Sequence, residues 1–291
     1  MKQEIDCLIC NHGSKFCYKK NNYNFYKCSN CQLIFIWPTP DNLDKIYGQE
    51  YFKATGQQKL GYTNYDKDKE PMRQIFLYYL KKFESLTTDR KIFDIGTATG
   101  YFLDLAKKSG WQTFGIEISK YATDIAKARG HEVICSKTIN DNIQDKFNVV
   151  TMWDVLEHLD NPKEYLKKVN NILESDGLLA INTVDVGSWW AKFFGKNWHQ
   201  LNPPEHIFYY NKKNLKLLLE KNGFEIIETK KISKKFSIAY IFKILYNWQS
   251  LKIWRILENK FNNNFWRKFY IPINLRDNIF VLAKKIKELD F

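Results

Sequence analysis

The stretch Lys91-Ile-Phe-Asp-Ile-Gly-Thr-Ala-Thr-Gly-Tyr-Phe-Leu103 constrains the fold more than any other part of the chain. Its apolar run, Ile92 to Ile95, predicts a buried parallel strand. The pattern from Tyr101 to Lys108 is typical of a helix. Gly96 and Gly100 permit a tight turn between the two and let backbone N–H groups approach a ligand. The order strand, glycine turn, helix therefore predicts an α/β domain with a ligand site at this turn.

Two acidic residues flank the turn. Asp94 lies at the end of the predicted strand, where open α/β sheets bind ligands. Twenty-one residues after Gly96, the apolar stretch Thr113–Ile116 ends in Glu117, an acidic residue that can hold the ribose hydroxyls of an adenosine cofactor. The Asp-x-Gly-x-Ala-x-Gly spacing lacks the third glycine of a dinucleotide fingerprint. The loop resembles motif I of the class I S-adenosylmethionine methyltransferases; an ordinary βα turn of another α/β protein is the alternative.

Residues 1–40 carry two C-x2-C pairs separated by seventeen residues, Cys7-Leu-Ile-Cys10 and Cys28-Ser-Asn-Cys31. Four thiolates at this spacing predict a tetrahedral Zn²⁺ site of the zinc-ribbon type. Four sulfur ligands leave no open position for chemistry, so the metal is expected to be structural. Two disulfide or core pairs are the alternative. Cys17 and Cys135 are left over, and we expect them to be buried as small hydrophobic residues.

Residues 41–88 are predicted to form an aromatic linker and a covering helix. Asp41 to Tyr47 predicts a short capped helix, and Pro71 to Leu86 has the apolar spacing of a helix that covers a sheet. Tyr51 and Tyr62 are candidates for lining the ligand cleft. Packing of the ribbon onto the catalytic domain is the alternative role for these two tyrosines.

Strand and helix patterns then alternate through residues 89–291, which predicts a parallel sheet. The segment Asp154-Val-Leu-Glu-His-Leu159 follows a fourth apolar strand, and Ser175-Asp-Gly-Leu-Leu-Ala-Ile181 contains the fifth. From about Arg90 to Glu228 the pattern resembles that of the same methyltransferases. The resemblance implies a doubly wound, Rossmann-like sheet of seven strands preceded by the small zinc ribbon.

The resemblance also implies a set of residues that bind S-adenosylmethionine. His158 is included in this set, although a structural cap or a packing role is the alternative for it. The expected cofactor-binding residues are Asp94, Gly96, Thr97, Ala98, Gly100, Tyr101, Phe102, Glu117, Ile118, Trp153, Asp154, Val155 and His158.

The segment from Trp198 to Asn211 contains Asn-Pro-Pro-Glu-His. It resembles a bacterial family of zinc-ribbon-bearing methyltransferases often associated with sugar and surface-polysaccharide pathways, and the sugar C-methyltransferases with an N-terminal zinc module. In the latter a Glu-His pair lies here and its histidine serves as base, which implies Glu205 and His206. Histidine can remove a proton near neutral pH. His199 is a second candidate, and a histidine that only fixes the loop is the alternative for His206.

Residues 233–275 form an insertion rich in aromatic, lysine and arginine residues between the sixth and seventh predicted strands. The pattern predicts two amphipathic helices split by Asn262-Asn-Asn264. A lid or a dimer surface is one interpretation. The other is a helix lying on a membrane interface, which would suit a lipid-linked sugar.

The chain has 45 Lys and Arg against 32 Asp and Glu, a net charge of +13. We interpret this charge as a solvated surface, and attraction to RNA or an anionic membrane face as the alternative. The absence of a signal pattern or a membrane-length apolar run predicts a cytoplasmic protein, with peripheral location at the inner membrane face as a possibility.

Together these features predict a methyltransferase acting on a small molecule, a nucleotide-linked or glycan sugar methylated at carbon or oxygen. An RNA-modifying methyltransferase and a non-catalytic S-adenosylmethionine-binding module are the alternatives. The oligomeric state is left open.

Overall fold

The computed structural model describes residues 5–41, 46–52, 65–140, 143–232, 234–249, 251–262, 266, 270–273 and 275–288. The strands are β1 (Ile5–Asp6), β2 (Gly13–Lys20), β3 (Tyr23–Cys28), β4 (Ile34–Ile36), β5 (Lys91–Ile95), β6 (Gln112–Glu117), β7 (Glu132–Cys135), β8 (Phe147–Trp153), β9 (Leu173–Val184), β10 (Phe208–Tyr209), β11 (Phe224–Lys231), β12 (Lys234–Ser237), β13 (Tyr270–Ile273) and β14 (Asn278–Lys285). The helices are α1 (Gln49–Phe52), α2 (Tyr65–Lys69), α3 (Arg73–Leu86), α4 (Tyr101–Lys108), α5 (Lys120–Ala128), α6 (Pro162–Ile172), α7 (Trp189–Phe194), α8 (Lys212–Lys221), α9 (Ile238–Gln249) and α10 (Lys252–Phe261).

The central sheet of the described residues has seven strands in the order β11-β14-β9-β8-β5-β6-β7. Strands β5 to β9 are parallel to one another, and β14 runs antiparallel between β9 and β11. The predicted doubly wound α/β class is confirmed. The chain order reverses between β5 and β8, so the carboxyl ends of these strands open onto a crevice suited to a ligand.

Helices cover both faces of this sheet. On one face α3 packs Phe76, Tyr79 and Phe83 into a buried cluster with Phe280 of β14. On the other face Leu166 of α6 belongs to a second cluster. Successive strand residues point to opposite faces, so both must be apolar in the central strands. This explains why β5 and β8 are near-continuous apolar runs in the sequence.

The second sheet has the order β1-β2-β3-β4-β10 and is antiparallel. Its first four strands belong to the cysteine-rich segment, whereas β10 comes from the chain after β9. The ribbon sheet therefore includes a strand that lies outside residues 1–40. This pairing joins the ribbon to the segment that carries Glu205 and His206.

Two sequence-based expectations are wrong. Cys17 and Cys135 are exposed rather than buried. Cys17 lies in β2, most of whose residues are exposed or half-buried, and Cys135 ends the edge strand β7. Small size and low polarity did not decide their location, because the strand positions they occupy face outward.

The insertion contains two helices, but not where the asparagines predicted their separation. Helices α9 and α10 both precede Asn262, and Leu251 between them has an extended conformation with φ −79° and ψ 124°. Asn263 and Asn264 lie outside the described residues. Strands β12 and β13 pair with each other at the base of the insertion.

Part of the predicted linker also lies outside the described residues, including residues 42–45 of the predicted short helix and Tyr62. Within the described ranges, no helix combines the length and the apolar character needed to cross a bilayer.

Candidate functional site

A cleft of about 890 Å³, part of it open to solvent, lies at the carboxyl ends of β5, β6 and β8. The predicted cofactor residues on its wall are Gly96, Ala98, Glu117, Ile118, Trp153, Asp154, Val155 and His158.

The glycine turn forms one side of the cleft. Gly96 and Gly100 have φ of +71° and +86°, the left-handed region that favours glycine. A Cβ added to Gly96 would lie 2.7 Å from Cγ2 of Val155, so close packing also requires glycine there. Ala98 has φ +49°, an uncommon conformation for a residue with a side chain.

Glu117 ends β6 and is buried on the cleft wall. Its carboxylate accepts hydrogen bonds from the backbone N–H of Ala98 at 2.8 Å and of Ser119 at 2.9 Å. These bonds fix both oxygens relative to the turn, while each oxygen has a second lone pair for a hydroxyl donor. Burial raises the pKa of Glu117, and the backbone donors oppose that shift.

Asp94 lies behind the wall rather than on it and is 2% exposed. The hydroxyl of Thr151 donates to its Oδ1 at 2.5 Å. Burial raises the pKa of Asp94 to about 8 despite this hydrogen bond. The residue therefore links the ends of β5 and β8 behind the cleft wall.

Four further predicted cofactor residues are not among the described residues that line the cleft: Thr97, Gly100, Tyr101 and Phe102. Phe102 packs against Phe76 and Trp153, and the hydroxyl of Tyr101 donates to Glu70. Thr97 and Gly100 shape the turn, where the Gly100 N–H donates to the Thr97 carbonyl at 2.9 Å.

An ion pair that the sequence did not reveal lies on the cleft wall. Lys69 Nζ is 3.0 Å from Oδ2 of Asp154, and both side chains are largely buried. Asn182 also donates to Asp154, whose own φ is +58°. Lys69 lies 85 residues before Asp154 in a lysine-rich chain, so no local pattern distinguished it.

Aromatic side chains cover much of the remaining wall. Tyr51 was anticipated, and the others were not: Tyr47, Phe52, Tyr65 and Tyr165. Tyr47 and Tyr51 meet edge to face with centroids 5.1 Å apart, and Phe52 contacts Tyr65 at 5.8 Å. The high density of aromatic residues between positions 47 and 65 was the sequence signal that could have identified Tyr47, Phe52 and Tyr65. Flat aromatic faces suit the rings of a nucleoside or of an acceptor.

The candidate catalytic residues Glu205 and His206 lie next to His158. The His158 Nδ1 is 2.9 Å from the Glu205 carbonyl oxygen, and its ring meets that of His206 edge to face with centroids 4.8 Å apart. The Nδ1 of His206 is 2.8 Å from the Gln200 carbonyl oxygen. The Glu205 side chain accepts a hydrogen bond from Asn202. Of these residues only His158 is among those that line the cleft.

The third catalytic candidate, His199, is directed elsewhere. Its Nε2 lies 3.5 Å from Oδ2 of Asp277, which also accepts a hydrogen bond from the Trp198 indole at 3.1 Å. The structure does not bring His199 together with His158.

The four cysteines of the two C-x2-C pairs converge. The Sγ atoms of Cys7 and Cys31 are 3.5 Å apart, those of Cys10 and Cys28 are 3.4 Å apart, and all four lie within 4.8 Å of one another. Zn–S bonds of about 2.3 Å place tetrahedral sulfur ligands about 3.8 Å apart, so the cluster fits zinc. The hydrogen bond from Cys31 lowers the pKa of the Cys7 thiol to about 5.

The ribbon and the histidine pair are linked by backbone contacts. The N–H of Ile36 in β4 donates to the Ile207 carbonyl at 3.0 Å, and the Ile207 N–H donates to the Glu157 carbonyl at 2.8 Å. From α8, Asn214 donates to the Cys31 carbonyl at 3.3 Å. The ribbon thus helps to fix the chain that follows His206.

Residues 65–229 match the model of a family described as a methyltransferase domain, which is more than half of the 291-residue chain. The matched range contains the glycine turn, Glu117, His158 and His206.

Curated relatives include ubiquinone biosynthesis O-methyltransferases. The protein from Glaesserella parasuis serovar 5 is 30% identical over 108 residues, covering 33% of this chain and 46% of that protein. The protein from Actinobacillus pleuropneumoniae serotype 7 is 25% identical over 121 residues, covering 38% and 52%. The protein from Pelagibacter ubique is 23% identical over 198 residues, covering 58% and 82%. The chain spans about half the length of the first two.

Solved structures show the same fold. A candidate methyltransferase from Bacillus halodurans has a TM-score of 0.51 at 17% identity, with 72% of this chain and 99% of that chain covered. The YcgJ protein from Bacillus subtilis has a TM-score of 0.50 at 13% identity, with 74% and 99% covered. At these identities the similarity concerns the fold alone.

Proposed function

We propose, because the chain belongs to the methyltransferase domain family, that it transfers a methyl group from S-adenosylmethionine to a small-molecule acceptor. The observation that carries the proposal is the buried Glu117 carboxylate on the wall of a cleft at the strand-order reversal. An acidic residue at this place suits the ribose of an adenosine cofactor.

The described residues fit the cofactor. Glu117 would accept hydrogen bonds from the ribose hydroxyls, and the backbone of Gly96 and Ala98 would lie against the amino-acid end. The aromatic residues Tyr51 and Tyr65 offer faces for ring stacking. The sulfonium group of the cofactor supplies the methyl group as an electrophile. The protein must then orient an acceptor atom in line with it and promote loss of the acceptor's proton.

The His158–His206 pair is the proposed group that activates the acceptor. A carbonyl oxygen only accepts hydrogen bonds, so the contact with Gln200 places the proton of His206 on Nδ1 and the lone pair on Nε2. That tautomer can accept a proton. His206 is the proposed base on the family resemblance, with Glu205 as its orienting neighbour. His199 is the weaker candidate, because it faces Asp277.

Two acceptor classes have support. The sequence resemblance favours a nucleotide-linked or glycan sugar, whose hydroxyl or keto-adjacent carbon needs a proton removed. The curated relatives are named as O-methyltransferases of ubiquinone biosynthesis, which favours transfer to an oxygen atom, and the tyrosine-rich wall suits an acceptor with an aromatic ring. A structural zinc ion at the four cysteines is proposed as part of the scaffold in either case.

The test is transfer of radiolabelled methyl from S-adenosylmethionine to nucleotide-linked sugars, catechols and bulk tRNA. We expect transfer to a small molecule, with loss in Glu117→Ala and retention in the control Glu174→Ala, whose side chain is exposed. Transfer to tRNA alone would favour the RNA-modifying alternative. Cofactor binding with no transfer to any member of the panel would favour a binding module.

A further inference from the structure

Three side chains with metal-ligating atoms converge beneath the cleft. Glu157 and His158 belong to the 3-10 turn Leu156–His158 that follows β8, and His206 precedes β10. One ligand atom from each lies within 4.8 Å of the other two. Glu157 is fully buried and His206 is 9% exposed, whereas His158 reaches the cleft wall.

Both histidines are held in the tautomer that a metal ligand requires. The Nδ1 of His158 lies 2.9 Å from the Glu205 carbonyl oxygen and 3.0 Å from the Tyr47 hydroxyl, and the Nδ1 of His206 lies 2.8 Å from the Gln200 carbonyl oxygen. A hydroxyl can donate or accept, whereas a carbonyl oxygen only accepts, so the carbonyl contacts place the proton of each ring on Nδ1. The lone pair of each ring is therefore on Nε2. A backbone carbonyl on the second nitrogen is the usual way in which proteins orient and polarise ligand histidines.

The third ligand, Glu157, is held by the neighbouring strand β9. The hydroxyl of Thr183 donates to Oε2 of Glu157 at 2.7 Å and orients the carboxylate. Each of the three ligands is thus fixed by at least one hydrogen bond from or to a neighbouring element.

We propose that Glu157, His158 and His206 bind a divalent transition-metal cation. Two imidazoles and one carboxylate suit Zn²⁺, Mn²⁺ or Fe²⁺ rather than Mg²⁺ or Ca²⁺, which prefer oxygen ligands throughout. Three protein ligands leave coordination positions open, and His158 lies on the cleft wall. This site is separate from the four cysteines.

The role of the ion rests on the proposed methyl transfer. An acceptor oxygen bound to the cation would have a lowered pKa and would release its proton to solvent water rather than to a histidine base. The bond from that oxygen to the methyl carbon would then form as the S–C bond of the cofactor breaks, with S-adenosylhomocysteine as the leaving group. The ion would occupy the lone pair that a base at His206 requires. The metal and base roles of His206 therefore exclude each other, and metal binding distinguishes them.

The test counts metal ions on the full chain. Elemental analysis of the purified protein is followed by Mn²⁺ titration monitored by electron paramagnetic resonance, which does not report zinc at the cysteines. Glu157→Gln and His206→Gln are compared with His131→Gln, a buried histidine bonded to Asp104 and Thr113 away from the cluster. Calorimetric binding of S-adenosylmethionine by every variant serves as the folding control.

We expect one ion beyond the cysteine site, either present on purification or taken up as Mn²⁺. Each ligand variant should lose it or bind it more than about tenfold more weakly, while His131→Gln retains it. Metal only at the cysteines with no saturable Mn²⁺ uptake, or equal uptake in all variants, would overturn the proposal.

If S-adenosylmethionine binds while Mn²⁺ does not, the metal site fails and the proposed function stands. Failure of S-adenosylmethionine to bind to wild type counts against the proposed function alone.

Discussion

At the residue scale, the cleft is built from backbone conformations that few side chains tolerate. Gly96, Ala98 and Asp154 all have positive φ, and all three line the cleft. Such conformations persist where the surrounding structure enforces them, and they concentrate at functional sites. The turn is therefore a fixed part of the site rather than an adaptable loop.

Substitution of Gly96 tests this rigidity. Gly96→Ala should lower the free energy of unfolding by about 2 kcal/mol or more, because alanine is disfavoured in the left-handed region and its Cβ would meet Val155. Gly48→Ala is the matched control, since nothing lies within 4 Å of its added Cβ. Urea denaturation measures both. Equal stability of the two variants would mean that the turn tolerates a side chain.

The buried Asp94 carboxyl predicts a pH dependence of stability. Its folded pKa of about 8 exceeds the value of about 3.9 in an unfolded chain, so the folded protein retains a proton that the unfolded chain releases. Its contribution to stability is complete below pH of about 4 and is lost as the pH rises towards 8, by at most roughly 1.4 kcal/mol per unit.

Asp94→Asn should flatten this dependence. Free energies of unfolding measured between pH of about 5 and 8 should fall more steeply in wild type than in the variant. Some slope should persist in the variant, because burial also raises the pKa of Glu117. Parallel pH profiles for the two proteins would contradict the buried, protonated state of Asp94.

The residue-level predictions came from local spacing. Glu117 was placed at the ligand site from its distance to the glycine turn, and it lines the cleft. Lys69 was missed, because its partner Asp154 is 85 residues away and a lysine in a lysine-rich chain carries no distinguishing signal. The functional roles of the individual site residues stay predictions.

At the element scale, the ribbon braces the candidate site. Strand β4 pairs with β10, Phe35 opposite Phe208, immediately after His206. Periodicity could not predict β10, since a strand of two residues is too short to show alternation. The boundary between α9 and α10 was misplaced for a different reason, because the aromatic composition of this segment gave no signal for the end of a helix. Long, regular strands such as β8 were predictable because they are nearly continuous apolar runs.

Removal of one cysteine should affect zinc and stability together. Cys28→Ser should remove about one zinc ion per chain and lower the unfolding temperature, because metal binding at such a site is coupled to folding. The control is Cys17→Ser, which changes an exposed cysteine in the neighbouring strand. Elemental analysis and thermal denaturation report the two effects. Unchanged zinc content and stability in Cys28→Ser would reject a zinc site at the four cysteines.

At the scale of the whole molecule, one buried cluster extends from the ribbon into the methyltransferase sheet. It includes Cys7 and Leu33 of the ribbon, Tyr209 of β10 and Leu215 of α8. The sequence predicted both the ribbon and the seven-stranded sheet, because each has its own local pattern. It did not predict their shared core, which depends on contacts between distant segments. The predicted domain limits and membrane contact through residues 233–275 stay predictions.

The central claim is that the cleft beside the glycine turn binds S-adenosylmethionine. Calorimetric titration of wild type, Glu117→Ala and the exposed control Glu174→Ala with S-adenosylmethionine and S-adenosylhomocysteine tests it most directly. We predict saturable binding of one ligand per chain in wild type and in Glu174→Ala. Glu117→Ala should bind about 10- to 100-fold more weakly, the effect of losing hydrogen bonds to a charged group. Absence of binding in wild type, or equal affinity in Glu117→Ala, would contradict the assignment of the cleft.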